Sequence, residues 1–189
     1  MARDTLASLI ETVRGLADAG TADWTNGTAT FWDADQLQLV LDRHRIDVSR
    51  EELDAIAEYG AGGAVSYYEY RSAFHNFEET DGGSVAFVLQ DSAGDTLSGY
   101  SVDYARGVVT FAADQGGAAV YLTGRKYDLN ASAADVWRVK AANSAKMYDF
   151  STDNHNLRRS QFHAHCIKMA DYFETMQDAS VITLFRSDQ

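Results

Sequence analysis

Glu58, Gly63, Val65 and Glu69 fall at positions 1, 6, 8 and 12 of one window, the frame of a calcium-binding loop. Such a loop surrounds its cation with oxygen atoms and takes side-chain ligands from positions 1, 3 and 5. Here positions 3 and 5 are Gly60 and Gly62, so two ligands are missing and a glycine-rich connector is the better account. His163, His165 and Cys166 also lie close together and carry metal-binding atoms. At helical spacing His163 and Cys166 share a face, but His165 points elsewhere and no acidic partner completes a set. The chain's single cysteine provides neither a disulfide framework nor a cysteine-based zinc site. Neither a metal site nor a cofactor is expected.

Nucleophilic chemistry fares no better. No serine sits in a glycine-flanked elbow, and His44, His75 and His155 stand in no catalytic motif. No glycine loop ends in Lys-Ser or Lys-Thr to cradle a phosphate. With 28 acidic residues, a pair of neighbouring carboxylates carries no signal. The chain therefore reads as a non-enzymatic protein. Tyr100, Tyr104, Phe111 and Tyr121 suggest a platform for stacking bases, which also requires a basic groove. Residues 81–127 hold five Asp against three basic residues, so packing on a sheet face accounts for the aromatics better.

The elements that must position these residues follow from periodicity. Leu6, Leu9, Ile10, Val13 and Leu16 predict a helix over 5–18, stopped at Gly20. A second helix is expected from Asp33, using Leu37, Val40 and Leu41. Ser49 and Glu52 have the spacing of a capping box, which predicts a third helix containing Leu53 and Ile56. Val65 to Phe77 fits a strand or a short helix. From Ser84 the period changes to two: 85–89, 100–104, 108–111 and 119–122 read as four short strands separated by turns. No crossover helix separates them, so an antiparallel meander is expected. Residues 132–147 place Ala133, Trp137, Ala141, Ser144 and Tyr148 on one stripe. A last helix over about 158–177 places Phe162, Cys166, Met169, Phe173 and Met176 at 4-3-4-3 spacing. Joined by a short turn, these two helices should pack as an antiparallel hairpin, with Trp137, Phe162, Cys166, Met169 and Phe173 between them. Beyond lies Val181-Ile182-Thr183-Leu184-Phe185-Arg186, an apolar segment suited to adding to a sheet edge or filling a partner's pocket.

The expected class is α+β: mainly helical, with a C-terminal antiparallel helix hairpin and a central antiparallel β-meander. Four segments are expected: a helical module over 1–80, the meander over 81–127, the hairpin over 128–177 and a docking tail over 178–189. The 189 residues are 46% hydrophobic, enough for a real core. No apolar run approaches the roughly 18 residues of a membrane span, and the amphipathic start does not read as a signal peptide. The formal net charge is −12, which disfavours tight binding of DNA or anionic lipid. The acids are 20 Asp to 8 Glu and the bases 12 Arg to 4 Lys. That balance matches proteins of halophilic cells, where molar salt screens self-repulsion over about 3 Å.

Residues 122–161 carry a likeness. Leu122-Thr123-Gly124-Arg125-Lys126-Tyr127-Asp128-Leu129-Asn130 leads from a strand into the alanine-rich helix stretch Ala131-Ser132-Ala133-Ala134-Asp135-Val136-Trp137. Tyr148-Asp149-Phe150-Ser151 follows, and Arg159-Ser160-Gln161 opens the last helix. Over roughly 85–176 this resembles the head–tail connector (adaptor) proteins of tailed viruses. The resemblance implies a structural virion protein in the neck, assembled in the host cytoplasm; with the acidic composition, the expected host is a halophilic archaeon. It implies a ring of about a dozen copies that links portal to tail and lines the genome channel. The implied partners are the portal protein, neighbouring copies, a tail or neck completion protein, and double-stranded genomic DNA passing without tight binding. Membrane is not among them. Val181, Ile182, Leu184, Phe185 and Arg186 would dock on the portal, and Tyr127, Asp128, Arg158 and Arg159 would meet a neighbouring subunit. The alternative kept open is a soluble cytoplasmic binding module with degenerate EF-hand-like helices.

Overall fold

The computed structural model describes residues 1–21, 24–26, 29–80, 86–144, 150–152, 155–157 and 159–177. The chain begins with a 3-10 turn (Asp4–Leu6) that runs into helix α1 (Ala7–Leu16). Leu6, Leu9, Ile10 and Val13 are buried, the stripe that the sequence spacing requires. A small hairpin of β1 (Trp24–Asn26) and β2 (Ala29–Phe31) precedes α2 (Ala34–Arg43). Asp33 starts α2 with a capping box. Its Oδ1 accepts the Gln36 amide at 2.9 Å, and Gln36 Oε1 accepts the Asp33 amide at 3.2 Å. Caps of this kind contribute about 1 kcal/mol.

From Arg45 the chain is extended, where the sequence predicted a third helix. Strands β3 (Arg45–Glu52), β4 (Asp54–Tyr59) and β5 (Val65–Arg71) occupy the region. The reason lies in tertiary pairing. Strand β9 (Tyr121–Tyr127) needs a partner on this side, and β3 supplies it, with Arg45 opposite Tyr127 and Val48 opposite Gly124. A bulge after Val48 holds Arg50 at φ 48°. Glu52 serves no cap, and Glu51 instead accepts Ser72 Oγ and the Ala73 amide, both at 2.7 Å. The Glu58–Glu69 segment is a β-hairpin. Gly60 and Ala64 close its end at 2.8 Å, and Gly62 and Gly63 take φ values of 84° and 82°. The helices that an EF-hand-like frame requires on either side are strands.

The four strands expected after residue 84 are β6 (Phe87–Gln90), β7 (Tyr100–Asp103), β8 (Val108–Phe111) and β9. They are divided between two sheets, β3-β9-β6 and β4-β5-β8-β7, every pair antiparallel. The two sheets share one core of Val48, Tyr70, Phe87, Leu89, Val109, Phe111 and Leu122, with Leu53, Phe77 and Val120 from the connections. The chain turns from β7 into β8 at Gly107, whose φ is 66°; a Cβ there would lie 2.2 Å from the Phe74 carbonyl oxygen. Only glycine fits this position.

Helix α3 (Leu129–Ser144) follows β9 directly. A two-stranded ribbon, β10 (Phe150–Thr152) and β11 (His155–Leu157), separates it from α4 (Arg159–Thr175). Helices α3 and α4 pack on one another, and α3 also packs on α1 and α2. A second core gathers Leu9, Val13, Leu37, Leu41, Val136, Trp137, Cys166 and Phe173. The first 43 residues thus share a core with the C-terminal hairpin. The fold is α+β, with its C-terminal helices packed together. Among the described residues no helix is long and apolar enough to cross a membrane.

Candidate functional site

Two features stand out from ordinary core packing: a buried polar hub where the helices meet the sheets, and the outer flank of α4. The hub is built on Glu78, which is 1% exposed. Thr5 Oγ1 and Tyr127 Oη donate to its two carboxylate oxygens, each at 2.8 Å. Arg3 Nε lies 3.2 Å from one oxygen and Arg125 Nη1 3.7 Å from the other. Arg3 also reaches Asp42 on α2 at 2.6 Å and donates to Tyr127 Oη at 3.1 Å. A buried carboxylate is costly unless charges and donors surround it; here the N-terminal turn and β9 converge on one, and α2 joins through Arg3. Burial pushes the Tyr127 phenol above its ordinary range, and the hydrogen bond to Glu78 adds to the rise. Burial alone would lower the Arg3 pKa, but Asp42 and Glu78 outweigh it and hold the guanidinium above its usual value.

Tyr127 and Asp128 were expected to meet a neighbouring subunit. Their side chains instead face inward, at 0% and 8% exposure. Tyr127 belongs to the hub. Asp128 starts α3, with its Oδ1 accepting the Ala131 amide at 2.9 Å, while Ser132 Oγ donates to its carbonyl at 2.8 Å. Both residues are committed inside the chain, which leaves neither surface for a neighbour to grip. The other two expected contacts, Arg158 and the side chain of Arg159, lie outside the described residues, as do Val181, Ile182, Leu184, Phe185 and Arg186 of the tail and Tyr148 of the α3 stripe.

The hairpin seam differs from the predicted stripe at one end. Trp137, Cys166 and Phe173 are buried, and Met169 packs against the same core. Phe162 does not: it is 49% exposed. The missing member is Ala170, at 1% exposure, which completes a seam with Cys166 and Phe173 at 4-3 spacing. A small residue lets α4 lie close to the alanine-rich face of α3. The seam therefore runs obliquely to the stripe and leaves both ends of the stripe outside. Arg138 and Glu174 join the two helices across their exposed side, and Asn130 Nδ2 donates to the Met176 carbonyl at 2.8 Å.

Helix α4 consequently has a second flank. Phe162, His165, Met169, Tyr172 and Met176 follow one another at 3-4-3-4 spacing. Phe162, Tyr172 and Met176 are about half exposed, at 49%, 53% and 48%. The His165 ring meets Trp137 edge-on at 5.7 Å and so lies on the seam's margin, whereas Cys166 is buried within it. Among the described residues no three His, Cys, Asp or Glu side chains come together. Tyr100 and Tyr104 pack against the sheet core, edge-on to Phe111 and Phe87, and Arg50 covers Tyr121 at 4.7 Å. Sequence periodicity could not have revealed the hub, because Arg3, Asp42, Glu78 and Tyr127 share no spacing and meet only through the fold. Compared with protein family models, curated proteins and solved structures, the chain has no significant match.

Proposed function

We propose that the chain is a head–tail connector subunit, a structural neck protein that joins a portal to tail components of a tailed virus. One observation supports this most. The Tyr127-Asp128 pair, central to the resemblance, is a built junction: the tyrosine anchors β9 to the Glu78 hub, and the aspartate caps α3. A motif that fixes the angle between a strand and a helix hairpin has a structural reason to recur in proteins that present such a hairpin. The ring of about a dozen copies, the portal and the passing genome are the partners this reading supplies. The tail over 178–189 is its docking element. Acidic residues along a lumen would repel DNA and let it slide.

Deleting residues 178–189 tests the role. The shortened chain should remain folded by circular dichroism and fail to join portal-bearing heads, with the ring density under the portal missing in negative stain. Normal neck assembly by the shortened chain would refute the docking role.

A further inference from the structure

Each of the two larger sheets ends in edge strands, and hydrogen-bond parity shows which edge is open. On β9 the Arg125 and Tyr127 amides donate to the Ala86 and Asn76 carbonyls, and the Arg125 carbonyl accepts the Glu78 amide. These residues therefore spend their backbone groups on the side away from β3. Gly124 and Lys126 spend theirs on β3, opposite Val48 and Ile46. Backbone groups alternate along a strand, so Arg45 and Asp47 of β3 turn their N–H and C=O groups outward. Among the described residues no strand lies on that side. The side chains of Arg45, Ile46 and Asp47 are all exposed.

The other edges are guarded. The outer side of β6 is taken by Leu97, whose amide donates to the Leu89 carbonyl at 2.9 Å. A bulge interrupts β4 between Ile56 and Glu58, and the charges of β4, Asp54 and Glu58, are acidic. Strand β7 carries Asp103 as its only charge. Bulges and like charges keep edges from pairing. Strand β3 instead carries both signs ahead of its bulge, with Arg45 and Asp47 paired along the strand at 3.2 Å.

An antiparallel copy can meet this run in registers that set outward-facing residues opposite one another. One places Arg45 opposite Arg45 and another Asp47 opposite Asp47, and like charges directly opposite are unfavourable. The remaining register centres on Ile46 and sets Arg45 of each copy against Asp47 of the other. Those pairs exchange both N–H···O bonds, while the two Ile46 side chains meet at the closer, non-hydrogen-bonded position.

We infer that two copies of the chain associate through β3 in this register, joining two three-stranded sheets into one across a two-fold axis. The contact is short, so the association is weak and depends on concentration. It goes beyond the connector reading, because a two-fold pair closes on itself and is distinct from a ring contact.

Sedimentation of the full chain from about 10 μM to about 1 mM tests this, and the chain should pass from monomer to dimer over that range. Asp47→Arg and Arg45→Asp each set like charges opposite one another and should weaken the dimer about tenfold. The double exchange, Arg45→Asp with Asp47→Arg, should return the affinity to within about threefold of the starting chain. Mixing the two single variants should do the same, since every facing pair is then of opposite sign. Cross-linking reads the register. Facing Cα atoms at a non-hydrogen-bonded position lie about 4.5 Å apart, within disulfide reach. Ile46→Cys should therefore form a disulfide-linked dimer much faster than Val65→Cys, at a comparably exposed site on the other sheet. The native Cys166 is buried and does not compete. A chain that stays monomeric throughout, or a dimer indifferent to both charge exchanges, would overturn the inference. So would equal cross-linking of Ile46→Cys and Val65→Cys, a comparison that stands even if a charge variant misfolds.

Discussion

Helices α3 and α4 are neighbours of nearly equal length, yet their surroundings are opposite. Ten of the sixteen residues of α3 are buried, distributed round most of the helix. Among the described side chains of α4 only Cys166, Ala170 and Phe173 are buried. Helix α3 lies among α1, α2 and α4, and its Ala131, Ser132, Ala133, Ala134, Ala141 and Ser144 let partners approach from several sides. Its one buried cation is accommodated locally: Lys140 Nζ donates to the Asp18 carbonyl at 2.5 Å and lies 4.9 Å above the Trp137 ring. Among the described residues helix α4 packs on one side and leaves large apolar groups outside. Weak amphipathicity thus has two causes. In α3 burial reaches most of the circumference, apart from a strip at Arg138 and Ala142; in α4 the apolar residues exceed what one seam can cover.

Mutations can break this contrast directly. Trp137→Ala on α3 should cost about 3–5 kcal/mol in urea unfolding, whereas Phe162→Ala on α4 should stay within about 0.5 kcal/mol. Equal losses would mean that Phe162 is covered in the folded subunit far more than its exposure indicates. A smaller effect comes from adding volume. Ala134→Leu should cost about 1–3 kcal/mol, because Ala134 is fully buried and has no space for the extra methyl groups. Ala164→Leu on the exposed side of α4 should change stability by less than about 0.5 kcal/mol.

The junction that starts α3 has its own signature in pH. The folded state holds the Tyr127 phenol above its ordinary range through burial and its bond to Glu78. Below a pH of about 10 neither folded nor unfolded chain ionises there, and this contribution to stability is complete. Above it the unfolded chain ionises first, so stability falls as pH rises. Tyr127→Phe should flatten that alkaline slope in denaturant titrations, and an unchanged slope would remove Tyr127 from the linkage. The smallest expected effect concerns salt. Residues 1–80 carry a net −9 and residues 128–189 only −1, so self-repulsion is concentrated among the first 80 residues. Raising potassium chloride from about 0.1 to 3 M should raise Tm by several degrees. A flat or falling Tm would contradict the halophilic composition.

Much of this contrast was legible in the sequence. The helices at α1, α2, α3 and α4 follow from apolar spacing and from Asp33, because each buries a face that local periodicity records. The extended run from Arg45 to Arg71 was not legible as a whole. Ser49 and Glu52 imitate a capping box, and what decides against a helix is the demand of β9 for a partner, a contact more than 70 residues distant. The four later strands were visible, but their division into two sheets depends on that same pairing. In the hairpin, Cys166 and Phe173 were read correctly. Ala170 escapes the stripe because alanine carries a faint apolar signal, and Phe162 falls within it yet lies outside the seam, because a stripe alone does not say which of its edges meets the neighbour. The Glu78 hub gave no local sign, since its members come from four separate segments.

The proposed place of this chain as a stoichiometric part of a viral neck has a direct test. Quantitative mass spectrometry of purified, DNA-filled virions encoded with this gene tests it most directly. The connector role predicts the chain in those particles at about a dozen copies for each portal ring. Complete, tailed virions that lack the chain would contradict it.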